Sequence, residues 1–255
     1  MRQTLVTPAI VLRRVAYGEA DLVVTLLGLG TGRVSALARA ARKSTRRFAG
    51  GLGMGMAGEA RLRDRPSAEL MILESFDGRR GWPTLSTDLA KTAHAAYALE
   101  LCDRLCPPRQ PETSVFAWLE EFLAHLDAGR ATAERLRVFE IGLLRALGMG
   151  PSIDRCAACG RADLGDEDVR FSPHAGGVLC RNCAKGGDFM AGNTRLALER
   201  LARASLPEAD TIALDRGVGA ACRGAVFALL REHVHGPLRS LDFIEKMSGS
   251  MSGSR

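Results

Sequence analysis

The spacing of apolar residues divides the chain into a strand-rich first third and a helix-rich remainder. Up to residue 76, short apolar segments with many β-branched residues alternate with turn residues, a pattern that predicts strands. Because no helix-length segment separates them, these strands are expected to pair in a small barrel or sandwich. The five predicted strands cover residues 4–12, 22–27, 33–38, 59–63 and 68–74.

From residue 86 onward the apolar period lengthens to that of amphipathic helices. Ser86 is expected to cap a first helix that ends near Leu105, and Pro111 is expected to open a second. Residues 248–255 are rich in glycine and serine and are predicted to be disordered. The other helices are predicted over residues 131–147, 194–205 and 218–235.

A cysteine-rich segment interrupts the helical region. Two Cys-x-x-Cys pairs are separated by twenty residues, a spacing typical of a four-thiolate zinc site. Residues 169–171 and 178–179 predict short strands around a turn-rich tip, which would fold the two pairs back onto one ion. The expected metal ligands are Cys156, Cys159, Cys180 and Cys183.

The predicted metal is structural, because four thiolates complete a tetrahedral shell around one Zn²⁺ and exclude substrate and activated water. His174 lies in the same loop and is the alternative fourth ligand. Buried free cysteines or a disulfide framework would also account for the motif. The metal-type spacing and the lack of an export signal favour zinc in a reducing cytoplasm. Cys102 and Cys106, one helical turn apart, are expected to be core thiols.

The positive charge of the chain is concentrated in its first third. Residues 1–80 hold 14 Lys/Arg and 7 Asp/Glu, whereas residues 81–255 hold 21 and 22, so the net excess of +6 arises entirely before residue 81. A concentrated basic surface favours a polyanion such as nucleic acid, with a solubility face as the alternative. No apolar run approaches the ~18–20 residues of a membrane span, so no membrane partner is expected.

The most basic run lies between the third and fourth predicted strands. If it is helical, its 3- and 4-residue spacings place all its cations on one face, where phosphates would relieve their mutual repulsion. Phe48, Tyr17 and Trp82 are near enough in sequence to stack on bases, although packing is the simpler role for each. The cations of the run are Arg39, Arg42, Lys43, Arg46 and Arg47.

No motif in the chain indicates catalysis. Gly53, Gly55 and Gly58 match the dinucleotide-binding glycine pattern, with Glu74 at a suitable distance, but no apolar strand precedes them. They are therefore expected to form a flexible loop before the fourth strand. Because the chain also lacks a Ser/His/Asp signature, a phosphate loop and an open metal position, it is not expected to be an enzyme.

Four stretches together resemble the RecO family of bacterial recombination mediator proteins. Two of them lie in the strand-rich part, namely Tyr-Gly-Glu-Ala-Asp at residues 17–21 and the segment at residues 32–43. Two lie in the helical part, namely Phe-Ser-Pro-His-Ala-Gly-Gly at residues 171–177 and His-Gly-Pro-Leu-Arg-Ser at residues 235–240. The resemblance spans residues 3–245 in the module order of that family.

The resemblance implies an α+β multi-domain protein. It would have an N-terminal five-stranded OB-fold barrel, then an all-α helical domain with an inserted four-cysteine, zinc-ribbon-like hairpin. The implied domains are the OB-fold at 1–80, the two parts of the helical domain at 81–150 and 191–247, the zinc module at 151–190, and the tail at 248–255. Residues 50–58 depart from the family pattern, so the resemblance does not fix the DNA path.

The implied activity is that of a cytoplasmic, nucleoid-associated recombination mediator. Such a protein binds single- and double-stranded DNA, anneals complementary strands and, with its partner RecR, helps load RecA onto DNA coated by single-strand-binding protein. The basic run, joined by Arg33, is the expected DNA site. The C-terminal tail of the coating protein would dock on the helical domain, where Arg135 and Arg137 are candidate contacts. A zinc-ribbon nucleic-acid module of transcription or RNA handling is the alternative.

Overall fold

The computed structural model describes residues 4–65, 68–241 and 244 of the chain. These residues form two compact units, of which the first extends to Arg130 and resumes at Pro237, and the second is Ala131–Gly236. The predicted tail at 248–255 lies outside the described residues, and the predicted domain boundaries stay predictions. In the described ranges, no helix is both long enough and apolar enough to cross a membrane.

Six strands in the described part of the first unit close into a barrel. They are β1 (Thr4–Tyr17), β2 (Asp21–Gly28), β3 (Gly32–Ala38), β4 (Phe48–Ala49), β5 (Ala57–Arg63) and β6 (Met71–Arg80). The sheet has the order β3-β2-β1-β5-β6-β4, and a parallel pairing of β3 with β6 closes it. The five long strands confirm the predicted OB-fold barrel, and the two-residue β4 is an addition to it.

The barrel core follows the alternation of side chains along each strand. In β3, Val34, Ala36 and Ala38 are buried, whereas the residues between them are partly exposed. The neighbouring strands supply larger side chains that are fully buried. They include Leu26, Leu62, Leu73 and Phe76.

Strand β1 is longer than its apolar pattern predicts. Its first residues, from Thr4 to Ile10, pair with β5, whereas those from Arg13 to Tyr17 pair with β2 alone after a bulge. Residues 13–17 are all exposed, so no alternation of hydrophobic and polar residues marks them as a strand. The outer part of β1 therefore forms a hairpin with β2 at the rim of the barrel, and β2 pairs with β3 on its other edge.

Up to Arg130, two α-helices follow the barrel in the first unit, α1 (Leu89–Leu105) and α2 (Thr113–Ala128). The prediction that Ser86 caps α1 is wrong. Asp88 is the N-cap, because its carboxylate accepts hydrogen bonds from two amides of the first turn. Ser86 instead ends a separate 3₁₀ turn, and α2 begins two residues after Pro111.

The second unit combines helices with a small sheet. Its helices are α3 (Ala133–Ala146), α4 (Gly192–Arg203) and α5 (Arg216–His233), and its strands are β7 (Val169–Ser172), β8 (Gly177–Leu179) and β9 (Asp188–Met190). β7 is the central strand and pairs antiparallel with both others. The predicted hairpin of β7 and β8 is confirmed, and β9 is a further strand. The cysteine-rich segment thus lies between α3 and α4.

Candidate metal centre and nucleic-acid interface

The first cysteine pair occupies a tight turn that is tied to the hairpin. The Gly160 amide donates to the Cys156 carbonyl at 2.9 Å and closes the turn. Gly160 has a φ of 74°, a left-handed conformation that side chains rarely adopt, as expected for the residue after a knuckle. The Ala157 amide donates to the Val178 carbonyl at 2.8 Å. This bond holds the first turn against β8.

The second cysteine pair follows directly after β8 ends at Leu179. The Cys183 amide donates to the Cys180 carbonyl at 2.9 Å and forms the second turn. The Cys180 amide also points at the first pair, donating to Cys156 Sγ at 3.4 Å. The hairpin therefore folds the two turns onto each other, as the twenty-residue spacing predicts.

The four sulfur atoms have the geometry of a metal site. All lie within 4.8 Å of one another, and Cys159 Sγ and Cys180 Sγ are 3.9 Å apart. A tetrahedral Zn²⁺ with bonds of about 2.3 Å places its sulfur ligands roughly 3.8 Å apart. Cys156 and Cys180 are buried, whereas Cys159 is exposed. The cluster could thus hold one metal ion at the surface of the unit, with all its ligands supplied by the chain.

The pKa values of two of these thiols are shifted in opposite directions. Burial disfavours the Cys156 thiolate, but amide donors from Cys180, Cys159 and Ala158 outweigh it and lower the pKa of Cys156 to about 6. Hydrogen bonds to Cys159 and Cys180 raise the pKa of Cys183 to about 12. Without a metal the group therefore holds some of its protons. A divalent ion is what allows all four sulfurs to be thiolates at neutral pH.

Two contacts brace the hairpin that carries the cysteines. Ser152 forms a parallel bridge with Gly177, where an added Cβ would lie 2.1 Å from the Ser152 carbonyl oxygen, so only glycine fits. The buried Arg195 on α4 donates to the carbonyls of Ile153 and Gly165, on either side of the first cysteine turn. Nothing in the sequence indicates this role for Arg195, because an arginine near a helix start normally lies in solvent.

The other candidate ligands lie outside this cluster. The His174 imidazole is exposed, with its Nδ1 3.9 Å from Glu232, and it is not part of the sulfur group. Cys102 and Cys106 are buried in the first unit. Their mutual hydrogen bond and burial raise the pKa of Cys102 well above its usual value, so it stays a neutral thiol. Both placements agree with the predictions.

The predicted basic run forms an exposed loop, here called the basic loop (residues 39–47). Its five cationic side chains are all exposed to solvent. The loop is not a helix, because Ala40 has a φ of 53° and the backbone forms successive turns instead. The five cations therefore do not lie on one face of a helix. The chain nevertheless collects the five cations in nine residues at one rim of the barrel.

The basic loop carries an unbalanced positive charge. Within the described ranges, no carboxylate lies within 4.0 Å of a charged nitrogen of any of its five cations. Arg47 donates to the Arg39 carbonyl at 2.6 Å and lies over the Phe48 ring, so its contacts do not neutralise its charge. By contrast, Arg63, Arg79 and Arg109 in the same unit each pair with a carboxylate. The loop therefore presents positive charge to solvent that no described carboxylate compensates.

The rim hairpin fixes the position of the basic loop. Asp21, the first residue of β2, accepts a hydrogen bond from the Ala40 amide at 2.7 Å. Arg42 donates to the Glu19 carbonyl at 3.1 Å through its side chain and to the Ala20 carbonyl at 3.0 Å through its amide. Sequence reasoning did not assign these contacts. The available sign is the Tyr-Gly-Glu-Ala-Asp segment, in which the Asp21 carboxylate begins β2 and Glu19 contributes its main-chain carbonyl.

Arg33 differs from the rest of the predicted DNA site. It lies in β3, where its Nε donates to the Cys106 carbonyl at 2.8 Å and its Nη1 lies 3.6 Å from Asp103. Arg13 on β1 contacts the same carboxylate at 3.2 Å. These contacts give Arg33 a role in attaching α1 to the barrel. Its DNA contact stays a prediction, and the five cations of the basic loop are the ones without a carboxylate.

Arg135 and Arg137, the predicted contacts of an acidic tail, are buried in the second unit. Arg135 pairs with Asp210, and Arg137 Nη1 lies 2.8 Å from Glu140 Oε2 one turn along α3. The side chains of Arg137 and Glu140 are 8% and 0% exposed. Neither arginine offers a surface guanidinium, because both face acidic groups of their own unit. The geometry favours a structural role over partner binding.

This structural role gives a testable expectation for Glu140. Glu140→Gln should destabilise the protein by about 2 kcal/mol, because the buried Arg137 cation loses its counter-charge. Urea unfolding curves of the variant and the wild type measure the difference. Arg137→Met combined with Glu140→Leu should recover most of the stability, since the buried pair is then removed as a whole. A single variant as stable as wild type would contradict the assignment.

The glycine-rich segment forms a loop and not a dinucleotide site. Gly58 already lies in β5, so the pattern leads into a strand where a dinucleotide-binding motif leads into a helix. The Trp82 indole donates to the Gly55 carbonyl at 2.8 Å and holds this loop in place. Phe48 is buried in the barrel core. Of the three aromatics considered for stacking, Tyr17 alone is exposed.

Two family models together match almost the whole chain. Residues 1–80 match the model described as Recombination protein O N terminal, and residues 86–242 match Recombination protein O C terminal. The first match covers the barrel, including the basic loop. The second covers the helices and the cysteine-rich hairpin.

Curated proteins with the name DNA repair protein RecO are similar over nearly their full length. A protein of an Anaeromyxobacter species is 41% identical over 97% of this chain and 98% of its own. Proteins of Geobacter sulfurreducens and Myxococcus xanthus are 36% and 34% identical, over 94% of this chain and 97% and 96% of theirs. These similarities include both compact units and so concern the protein as a whole.

Proposed function

The chain belongs to the RecO family of DNA repair proteins, and on this premise we propose that it is a DNA-binding recombination mediator and not an enzyme. It binds single- and double-stranded DNA and anneals complementary strands. With RecR, it helps load RecA onto DNA coated by single-strand-binding protein. Its DNA contacts are made by the basic loop at the rim of the OB-fold barrel.

The observation that carries this proposal is the uncompensated charge of the basic loop. Five exposed cations without carboxylate partners repel one another, and this repulsion is relieved when phosphates replace bulk counterions. Each phosphate neutralised releases counterions, which makes the binding favourable and salt-dependent. Such contacts are independent of sequence and strandedness, as a protein that handles any damaged region requires. Neutralising the phosphates of two strands also reduces the repulsion that opposes annealing.

The metal in this proposal is one structural Zn²⁺ held by Cys156, Cys159, Cys180 and Cys183. The ion supplies the link that joins the two cysteine turns, and it has no position left for a substrate. The residues around it position the sulfurs, through the amides that donate to Cys156 and the arginine that braces the first turn. The proposal assigns no reaction step to this site.

The protein partners follow from the family and not from a site in this chain. We assign RecR and the C-terminal tail of single-strand-binding protein as direct partners, and RecA as the recombinase that benefits. Because the substrate is chromosomal DNA, the protein acts in the cytoplasm on the nucleoid. The buried Arg135 and Arg137 are not assigned to the tail.

The competing function is a zinc-ribbon nucleic-acid module of transcription or RNA handling, which the cysteine hairpin alone would also support. Annealing separates the two. The annealing rate of complementary oligonucleotides is measured with and without wild-type protein, once for bare strands and once for strands coated with the cognate single-strand-binding protein. A mediator should accelerate both reactions, because it acts on the coated strand. Acceleration on bare strands only would favour the zinc-ribbon module, and no DNA binding at all would refute the mediator.

A further inference from the structure

One aromatic side chain is exposed beside the basic loop. Tyr17 ends β1 and is 58% exposed, more than any other aromatic in the described part of the first unit. The neighbouring Val15 on the same strand is also about half exposed. Single exposed apolar residues are common and need no explanation by themselves. The exposure of Tyr17 suggests a function because the residue lies next to the cations of the basic loop.

Tyr17 is held close to the basic loop by a short chain of contacts. Its partner across the hairpin is Asp21, whose carboxylate accepts the hydrogen bond from the Ala40 amide. The turn between them is fixed to Arg42 through the Glu19 and Ala20 carbonyls. The tyrosine and the cations are therefore parts of one connected surface. Displacement of this end of the hairpin from the loop would break these bonds.

The ring has no other evident role. In the part of the chain that the structure describes, Tyr17 has no hydrogen-bond partner for its hydroxyl, and no cation lies over its ring. The other aromatics considered, Phe48 and Trp82, pack in the core or hold the glycine-rich loop.

We propose that Tyr17 stacks on an unpaired base of single-stranded DNA whose phosphates lie on the basic loop, an inference that rests on the proposed function. Proteins that bind single strands combine a positive surface for the backbone with aromatic side chains for the bases. In a duplex the bases already stack on each other and their faces are closed. Tyr17 thus adds affinity for single strands only, and it supplies the strand preference that phosphate contacts lack.

The test compares Tyr17→Ala, Tyr17→Phe and wild type in binding a labelled oligothymidine and a blunt duplex of the same length. Loss of one stacked base weakens binding by on the order of tenfold. We expect that loss for Tyr17→Ala on the single strand, with duplex binding unchanged and the same salt dependence. Tyr17→Phe should bind like wild type, because the ring and not the hydroxyl stacks. Phe189→Ala removes an exposed aromatic of the second unit and should change neither affinity.

Several results would overturn the inference. Single-strand binding by Tyr17→Ala at wild-type strength would show that the ring does not stack. Equal losses on both DNAs, or a loss in Tyr17→Phe, would show that the residue shapes the hairpin or uses its hydroxyl. A melting curve checks that each variant is folded. If wild type binds neither DNA, the proposed function fails as well, whereas failure of the Tyr17 effect alone leaves that function intact.

Discussion

Replacing Cys156 and Cys180 together by serine should abolish metal binding and unfold the Ala131–Gly236 unit. Each substitution removes a buried ligand from a different cysteine turn, so neither turn can hold the ion. Structural zinc contributes about 10–16 kcal/mol in small zinc peptides, which is comparable to the roughly 5–15 kcal/mol stability of a typical domain. Metal analysis should find one zinc per wild-type chain and none in the variant. Hydrogen exchange should then be fast throughout residues 131–236.

The barrel provides the internal reference for this experiment. Residues 4–65 belong to the other compact unit, so their protection from hydrogen exchange should fall less than that of helices α3 to α5. The DNA affinity of the basic loop should also change little. Cys222→Ala is the matched control, because it removes a buried thiol of the same unit outside the sulfur cluster. It should keep its zinc. A metal-free double variant with a wild-type melting curve would disprove the structural role of the ion.

The barrel and the cysteine cluster could be predicted because their determinants are local and repeated. The alternation of buried and partly exposed residues in β3 and the short apolar, β-branched run of β2 both indicate strands. The two-residue spacing of each cysteine pair fixes a turn without help from the rest of the chain. The end of β1 could not be found in this way, since residues 13–17 are exposed on both faces. Burial, and not strand propensity, is what a hydrophobic pattern detects.

The role of each arginine depended on the fold. In the sequence, Arg42 and Arg33 are candidates for the DNA site, and Arg137 is a candidate contact of an acidic tail. In the structure, Arg33 lies next to Asp103, which is distant in the sequence, and Arg137 pairs with Glu140 one helical turn away. Both guanidinium groups therefore already have a carboxylate partner. Of these three arginines, only Arg42 is exposed to solvent without a carboxylate partner. A cation is available for DNA only if no carboxylate lies next to it in the fold. The number of charges nearby in the sequence does not show which carboxylates these are.

Changing Arg42, Lys43, Arg46 and Arg47 together to alanine should weaken single-strand binding by on the order of 10²–10³-fold at about 0.1 M salt. Each single-strand phosphate contact contributes about 0.7 to the slope of log affinity against log salt concentration. Four lost contacts should therefore reduce that slope by about 3. Fluorescence anisotropy titrations at several salt concentrations measure both quantities. Because the four side chains are exposed, the melting curve should stay close to that of wild type.

A control with the same loss of charge separates the basic loop from the net charge of the protein. Arg63, Arg79, Arg80 and Arg109 lie in the same unit, but each is paired with a carboxylate. Changing these four to alanine removes an equal charge and should reduce affinity much less, because their cations are already compensated. Equal losses in both quadruple variants would assign the binding to long-range attraction and not to a site.

The same basic-loop variant also connects DNA binding to mediation. If the loop neutralises the phosphates of two strands, annealing of strands coated by single-strand-binding protein should be lost together with affinity. Annealing that persists in the variant would keep the mediator function but place its DNA site elsewhere on the barrel. The exposed outer part of β1 would then be the next surface to test, since Arg14 is exposed there. Loss of affinity with unchanged annealing would mean that capture of phosphates by this loop is not the step that brings strands together.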